Sequence, residues 1–316
     1  MQEIHNSKSK EYFDDQIDLR ELFYAFLDGK WIIISITTFV SILGVVYSLL
    51  LPNIYESKAL LVPVNPSSTI SGSLDGYSGL AGLAGISLPY SPDTGGNSLK
   101  AIQKIKSLSF FEENIMKNIY LPELMAVKSW DSKTNTIVID ENIYDTNTNT
   151  WVTKSPHSQH TTPTAQKSFK VFKSKHLTFI EDKKTGFSTL SIKHQSPFIA
   201  KEWAELIVNE INSFYRQKDK LESEKAVSYL NQQISMTSLS EIKEALAQLL
   251  QEQTKKLALI EANQFYVFDY IDPPAVMELK SEPKRSLICI LFALVGGMLS
   301  VLVVLIRHFV NIKKTS

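Results

Sequence analysis

Four groups of residues in the chain have types and spacings that could do chemistry. Residues 78–87 read SGLAGLAGIS, which sets Gly79, Gly82 and Gly85 three positions apart. Glycine-rich loops cradle phosphates because backbone N–H groups can approach an anion where no Cβ intervenes. Those loops follow G-x-x-x-x-G-K-[ST] or G-x-G-x-x-G, set between a strand and a helix. This stretch has neither spacing, and no lysine follows before Lys100. It reads as a flexible, mildly apolar loop. His157 and His160, in SPHSQH, have an i,i+3 spacing that can seed a metal site. They stand in a Ser/Thr/Pro-rich stretch with the other four histidines scattered, so they read as loop surface. Cys289 lies inside a long apolar run, and no G-x-S-x-G is present to support a serine nucleophile. Glu112 and Glu113 fall on the surface of an expected helix, where a carboxylate is simply solvated. No catalytic, cofactor-binding or metal-ligating residue is therefore assigned, and no enzyme is expected.

The composition narrows the class further. Lysine plus arginine number 33 and aspartate plus glutamate number 33, so the net charge is zero. Nucleic-acid binding loses its electrostatic footprint at that balance, and no nucleic-acid partner is expected. A single cysteine excludes an internal disulfide framework.

What must position any site is set by two apolar runs. Residues 31–51 and 286–306 each extend 21 residues without a charge. At 1.5 Å per residue each reaches about 30 Å, the thickness of a bilayer's hydrocarbon core. Two such runs in one chain read as membrane spans rather than as core helices. The first is no cleaved signal peptide, because about thirty residues precede it and LLLPNIY holds no small-x-small site. Lys8, Lys10, Arg20 and Lys30 precede the first span, and Arg307, Lys313 and Lys314 follow the second. The positive-inside bias places both tails, 1–30 and 307–316, in the cytoplasm. Lys284 and Arg285 oppose that bias, but a segment as long as 52–285 crosses regardless of charge. Gly44 with Ser48, and Gly296 with Ser300, are small-xxx-small pairs that permit close helix contact.

The exported segment has its own order. Residues 55–64, YESKALLVPV, read as a strand, and 65–97 as a long Ser/Gly/Pro loop. Asn97 or Ser98 can cap a helix whose apolar positions Leu99, Ile102, Ile105, Leu108, Phe111 and Ile115 keep helical spacing. A short strand is expected at 136–139, polar loop over 140–164, and a strand pair at 177–181 and 187–194 about DKKTG. One apolar stripe then runs from Ala200 through Trp203, Ile207, Ile211 and Tyr215 to Leu230 and Ile234. An unbroken helix over 199–235 would be about 55 Å long, so part of it should project from the domain. Its charged middle, KDKLESEK, offers the i,i+4 pairs Lys218–Glu222 and Lys220–Glu224. Ser238 and Glu241 suggest a capping box for a second helix with Leu239, Ile242, Leu246, Leu249, Leu250, Leu257 and Ile260 along one face. The two helices make an antiparallel hairpin over 199–263. Residues 265–271, FYVFDYI, return as a strand, and Pro273, Pro274 and Pro283 stiffen the approach to the second span. The expected class is an α+β membrane protein: two transmembrane helices flank a periplasmic α/β domain that carries a long projecting helical hairpin.

Taken in this order, the chain resembles the Wzz family, the type-1 polysaccharide co-polymerases that determine O-antigen chain length. The resemblance lies in DQIDLRELFYAFLDGKWIII, YESKALLVP, the Gly/Leu/Ala loop, SLSFFEENI with LPEL, KKTGFSTLSIKHQSPFIAKEWAELIVNEIN and DPPAVMELKSEPKRSLICIL. Pro273, Pro274 and Pro283 fit the family's proline-rich entry to the second span, while residues 276–280 add no proline. Gly296, Gly297 and Ser300 stand where the family has a glycine motif. The resemblance implies a homo-oligomeric ring, commonly octameric, in the bacterial inner membrane, with residues 52–285 as the periplasmic co-polymerase domain. It implies a non-catalytic regulator that acts beside the Wzy polymerase on lipid-linked polysaccharide and uses no cofactor. Enterobacterial common antigen or an exopolysaccharide is the alternative polymer. Related co-polymerases carry a cytoplasmic tyrosine kinase, which is not expected here because only ten residues of this chain follow Ile306. A sensor would need a signalling module in the cytoplasm, and a glycan hydrolase would need a carboxylate pair in a cleft. Neither has support in the sequence.

Overall fold

The computed structural model describes residues 27–64, 96–152, 162–263 and 265–315. In chain order the elements begin with α1 (Lys30–Leu50), β1 (Tyr55–Pro63), α2 (Gly96–Ile105) and α3 (Leu108–Phe110). The last runs on into a π-helical turn, Phe111–Ile115. Next come α4 (Leu121–Met125), β2 (Val127–Asp131), β3 (Thr136–Ile139), β4 (Tyr144–Asp145) and β5 (Thr150–Trp151). α5 (Ala165–Val171) continues into a second π-helical turn, Phe172–His176, and leads to β6 (Leu177–Glu181) and β7 (Ser188–His194). The chain ends with α6 (Pro197–Met236), α7 (Ser240–Ala262), β8 (Phe268–Asp272) and α8 (Arg285–Thr315). Two units result, one from Met1–Pro52 with Glu282–Ser316, the other from Asn53–Ser281.

In the first unit, α1 and residues Arg285–Arg307 of α8 are long and apolar enough to cross a membrane. They lie against each other at both expected small-residue pairs. A Cβ on Gly44 would come within 2.6 Å of Phe292 Cβ, and one on Gly296 within 2.9 Å of Val40 Cβ. Both contacts are with carbons next to the backbone, so only glycine allows this approach. Ser48 and Ser300 are buried in the same contact, and Thr37 Oγ1 lies 3.4 Å from Ser300 Oγ. A Cβ on Gly297 would meet nothing within 4 Å among the described residues, so this contact does not call on the second glycine of that dipeptide. The outward sides carry Ile34, Phe39, Ile42, Leu294 and Leu302, all exposed, which suits a surface facing lipid.

The second unit is built on an antiparallel sheet in the order β6-β7-β1-β8. Strand alternation sets its faces: Ser57, Ala59 and Leu61 of β1 point inward beside Leu190 and Ile192 of β7 and Leu177 and Phe179 of β6. β1, near the unit's first residue, pairs with β8 near its last, and Ser281 N–H donates to the Ile54 carbonyl at 2.8 Å. The domain thus begins and ends side by side. Helix α6 covers the sheet with Ile199, Ala200, Trp203, Ala204, Ile207, Val208 and Ile211, a 3–4 spacing that buries one face. α3, its π-helical extension and α5 complete the core with Phe110, Phe111, Ile115 and Phe172.

Asn212, 3 % exposed, sits at the end of that stripe and closes the domain. Its Oδ1 accepts from the backbone N–H groups of Tyr266, Val267 and Phe268 at 3.3, 2.7 and 3.0 Å, and its Nδ2 donates to the Phe268 carbonyl at 2.9 Å. One side chain therefore satisfies the backbone of the segment that enters β8.

Beyond Tyr215 only Ser223 and Leu230 of α6 are buried, and α7 lies against this half. At 40 residues α6 is about 60 Å long, so the expected projecting hairpin is present. Several local expectations need correction. Ser238 does not cap α7, which starts at Ser240 behind Leu239 with no side-chain cap. Lys220 pairs with Glu261 on the facing helix at 2.5 Å instead of with Glu224, because the hairpin brings the opposite charge across. Lys218 does reach Glu222, at 3.9 Å. The single helix expected from 98 to 115 breaks at Lys106 and restarts where the Ser107 hydroxyl accepts from Phe110 N–H. Residues 140–164 contain the small β4–β5 hairpin, and Phe187 lies outside β7 and is exposed. The returning strand starts at Phe268, because the N–H groups of residues 266–268 are committed to Asn212.

Three hairpin turns share one design that the sequence displays as D-x-x-T-[NG]. At Asp131, Asp145 and Asp182 the carboxylate accepts from the backbone N–H two residues on and from the threonine hydroxyl three residues on. The fifth residue, Asn135, Asn149 or Gly186, takes the left-handed conformation at φ 52°, 53° or 74°. Asparagine and glycine are the residues that reach that region at least cost. These hydrogen bonds favour the ionised carboxylates and hold all three below their ordinary range.

Replacing Asn212 by leucine keeps the volume and strands three buried donors. At about 1–3 kcal/mol for each unmet group, the loss should lower the melting temperature by roughly 10 °C or more. Circular dichroism melting of the detergent-purified chain measures it. A shift below about 2 °C, under 1 kcal/mol for a domain of this size, would show that packing alone holds the returning strand.

Candidate functional site

Proline and tight turns converge on one concave site in the second unit. Pro122 opens α4, where its fixed φ suits the first helical turn. Pro197 does the same for α6, and no side chain caps that helix, so its first-turn N–H groups stay open. The β2–β3 hairpin supplies the opposite wall. Together these elements enclose a cleft of about 370 Å³ lined by Tyr120, Glu123, Asn135, Thr136, Ser196 and Phe198, with isoleucines between them.

The cleft combines aromatic edges with a few polar groups. Phe198 is 46 % exposed and rests on Trp130 with ring centroids 6.4 Å apart. Trp130 in turn meets Tyr55 edge-on and donates its Nε1–H to Asn135 Oδ1 at 3.0 Å. That leaves the Asn135 amide NH₂ with no partner among the described residues. Tyr120 is 49 % exposed, meets Tyr144 edge-on, and donates its hydroxyl to the Tyr144 hydroxyl at 3.2 Å. That bond, with partial burial, pushes the Tyr120 phenol up to about 12. The Glu123 carboxyl has no hydrogen-bond or ion-pair partner among the described residues. Burial, and then the nearby Glu202 charge, raise it to about 7. Near neutral pH it can therefore either accept or donate a hydrogen bond.

Behind the cleft lies a buried histidine pair. His194 Nε2 donates to the Glu123 backbone carbonyl at 3.0 Å, and its Nδ1 accepts from Ser196 N–H at 2.9 Å. The arrangement requires the neutral ring and fixes its tautomer. His176 Nδ1 donates to the Lys193 carbonyl at 2.7 Å, and both rings pack edge-on against Trp203. Burial, and then the neighbouring His194, bring His176 down to about 4, while burial also lowers His194. These histidines position α4 relative to the start of α6. They do not face the cleft as acids or bases.

Sequence reasoning assigned no site residue, and the residues it weighed are dispersed. Gly79, Gly82, Gly85, His157 and His160 lie outside the described residues. Glu112 and Glu113 are exposed on the π-helical turn after α3. Cys289 lies in α8. Among the described residues no three His, Cys, Asp or Glu side chains gather into a metal site. Glu123 was passed over as part of LPEL; its signal is that it is the lone acid in the otherwise apolar run IYLPELMAV.

Residues 15–118, about a third of the chain, match the family model described as chain length determinant protein, Wzz. The resemblance read from the sequence stands over that stretch. No curated relative matches the chain. Among solved structures, the chain is similar to a full-length bacterial polysaccharide co-polymerase at 16 % identity, over 94 % of this chain and 98 % of that one, with a TM-score of 0.40. It is also similar to a fragment of WzzB, a polysaccharide co-polymerase from Salmonella Typhimurium, at 14 % identity, over 73 % and 100 %, with a TM-score of 0.31.

The site sets opposing pH dependences. His176 falls from an ordinary 6.5 to about 4, so its contribution is complete above 6.5 and is lost as pH falls towards 4. Glu123 rises from 4.5 to about 7, so its contribution is complete below 4.5 and is lost as pH rises to 7. Glu123→Gln should gain about 1–2 kcal/mol at pH 8 relative to its own difference from the native chain at pH 4.5, after allowance for solvent screening. Thermal melts at the two pH values test this, and an equal difference at both would remove Glu123 from the account.

Proposed function

We propose that the chain is a non-catalytic regulator of O-antigen chain length, a homo-oligomeric co-polymerase that works beside the Wzy polymerase on lipid-linked polysaccharide. The observation that carries this reading is the match of residues 15–118 to the chain length determinant family. Two helices of membrane-spanning length at either end of the exported segment support it. So do the basic tails: the positive-inside bias favours an inner-membrane protein with residues 1–30 and 307–316 in the cytoplasm and residues 52–285 in the periplasm.

Oligomerisation has a physical motive in the hairpin. Leu221, Tyr229 and Met236 of α6 are exposed, as are Leu239, Ile242 and Leu249 at or within α7. Apolar side chains held out on a projecting hairpin are covered most simply by the same hairpin of a neighbouring copy. A ring of such copies would present one repeated surface to a growing chain, and length control needs no bond to be made or broken by the protein itself.

Deleting the gene should leave O-antigen polymerised while flattening its modal length distribution towards short chains, as read on a lipopolysaccharide gel. A strain that makes no polymer at all would refute the regulator role and point to polymerisation itself. For topology, alkaline phosphatase fused after Glu181 should be active and a fusion after Lys314 inactive. The reverse pattern would invert the orientation.

A further inference from the structure

The cleft between α4, the β2–β3 hairpin and the start of α6 is open enough to take a ligand. Its volume, about 370 Å³, falls within the roughly 300–1,000 Å³ typical of ligand pockets. Its polar groups point to the class of occupant. The Glu123 carboxyl and the Asn135 amide NH₂ have no partner among the described residues, and the uncapped N-terminus of α6 presents backbone N–H donors at Phe198 and Ile199. An apolar peptide laid over these groups would strand them away from water at about 1–3 kcal/mol each. A phosphate or other anion would meet the helix N-terminus but would also face Glu123 with Glu202 behind it. A ligand rich in hydroxyls satisfies all of them, since each hydroxyl both donates and accepts. Phe198 and Tyr120, each about half exposed, offer ring surface to the C–H faces that such a ligand also carries.

We propose that this cleft binds one or two units of a neutral or amino sugar within a polysaccharide, with Phe198 and Tyr120 as the platform and Glu123 and Asn135 reading the hydroxyls. The inference rests on the chain-length reading only for which glycan the cell supplies. It deepens that reading by giving the exported domain a place to hold the polymer. Glu123 near neutrality can exchange between accepting and donating, which tolerates different hydroxyl geometries along a chain. His194 holds the backbone of Glu123, so the carboxyl is presented from a fixed floor.

The test uses the full chain in detergent and, as probe, the total polysaccharide fraction released by mild acid from the source cell's envelope and coupled to a resin. The native chain should be retained and should elute with the soluble fraction. Phe198→Ala and Glu123→Ala should each weaken binding at least tenfold, and the conservative Phe198→Leu and Glu123→Gln less. Lys183→Ala, in the exposed turn between β6 and β7, should leave it unchanged. Melting curves and light-scattering mass confirm that each variant folds and assembles, and the conservative pair decides if either alanine variant does not. Failure of the native chain to bind, or equal retention of the Glu123 and Phe198 variants, would overturn the site. A Phe198→Ala chain that loses assembly while keeping retention would show the cleft to be a contact between copies. The deletion phenotype is scored separately, so a normal length-control defect with an unretained protein would sink the cleft and leave the proposed function standing.

Discussion

The four hydrogen bonds of Asn212 are the constraint on which the second unit depends. The chain enters this unit at β1 and must return beside it at β8 after more than two hundred residues. Loop entropy resists that closure, although the cost grows only slowly with length. The returning segment leaves α7 with its backbone N–H groups turned towards α6, where no strand is available to pair them. A buried amide on α6 takes three of those N–H groups and gives one bond back. β8 can then start in register against Pro63 and Val62. A hydrophobic residue at that position would pack as well and leave the backbone unpaired.

That closure makes one helix do two kinds of work. The half of α6 before Asn212 is a core helix with Trp203 as its largest buried side chain. The half after it is joined to α7 by the Lys220–Glu261 pair and to the returning segment by the Tyr266 hydroxyl bond to Asp219 at 2.6 Å. The latter bond, added to burial, pushes the Tyr266 phenol far above its ordinary range. Since Tyr266 also donates its backbone N–H to Asn212, the base of the hairpin and the returning strand share a residue. Movement of the hairpin would therefore be felt at the edge of the sheet.

The cleft and the core are linked through histidine. His194 ends β7 with its ring under Trp203, and both ring nitrogens are spent on the backbone of Glu123 and Ser196. Those two residues belong to the two walls of the cleft. Its shape is thus set by a neutral, buried ring whose protonation would break one of the two bonds.

Much of this architecture was legible in the chain itself. The two apolar runs, the 3–4 stripe that became α6, the strand pair about DKKTG and the early strand all follow from hydrophobic period and turn residues, which are local properties. The small residues at Gly44 and Gly296 announced a close helix contact, although not that Phe292 and Val40 would fill it. What sequence could not supply were pairings across distance. Ser238 with Glu241 has the spacing of a capping box, yet three residues suffice to turn the hairpin and leave Ser238 outside the helix. Lys220 has an acid four residues on, yet finds a better one on the facing helix. Asn212 reads as one polar residue at the edge of an apolar stripe, and Glu123 as one acid among apolar neighbours. The tertiary structure alone decided that the first would be surrounded by backbone N–H groups and the second left without a partner, because burial and hydrogen bonding depend on which distant segments arrive at the same place.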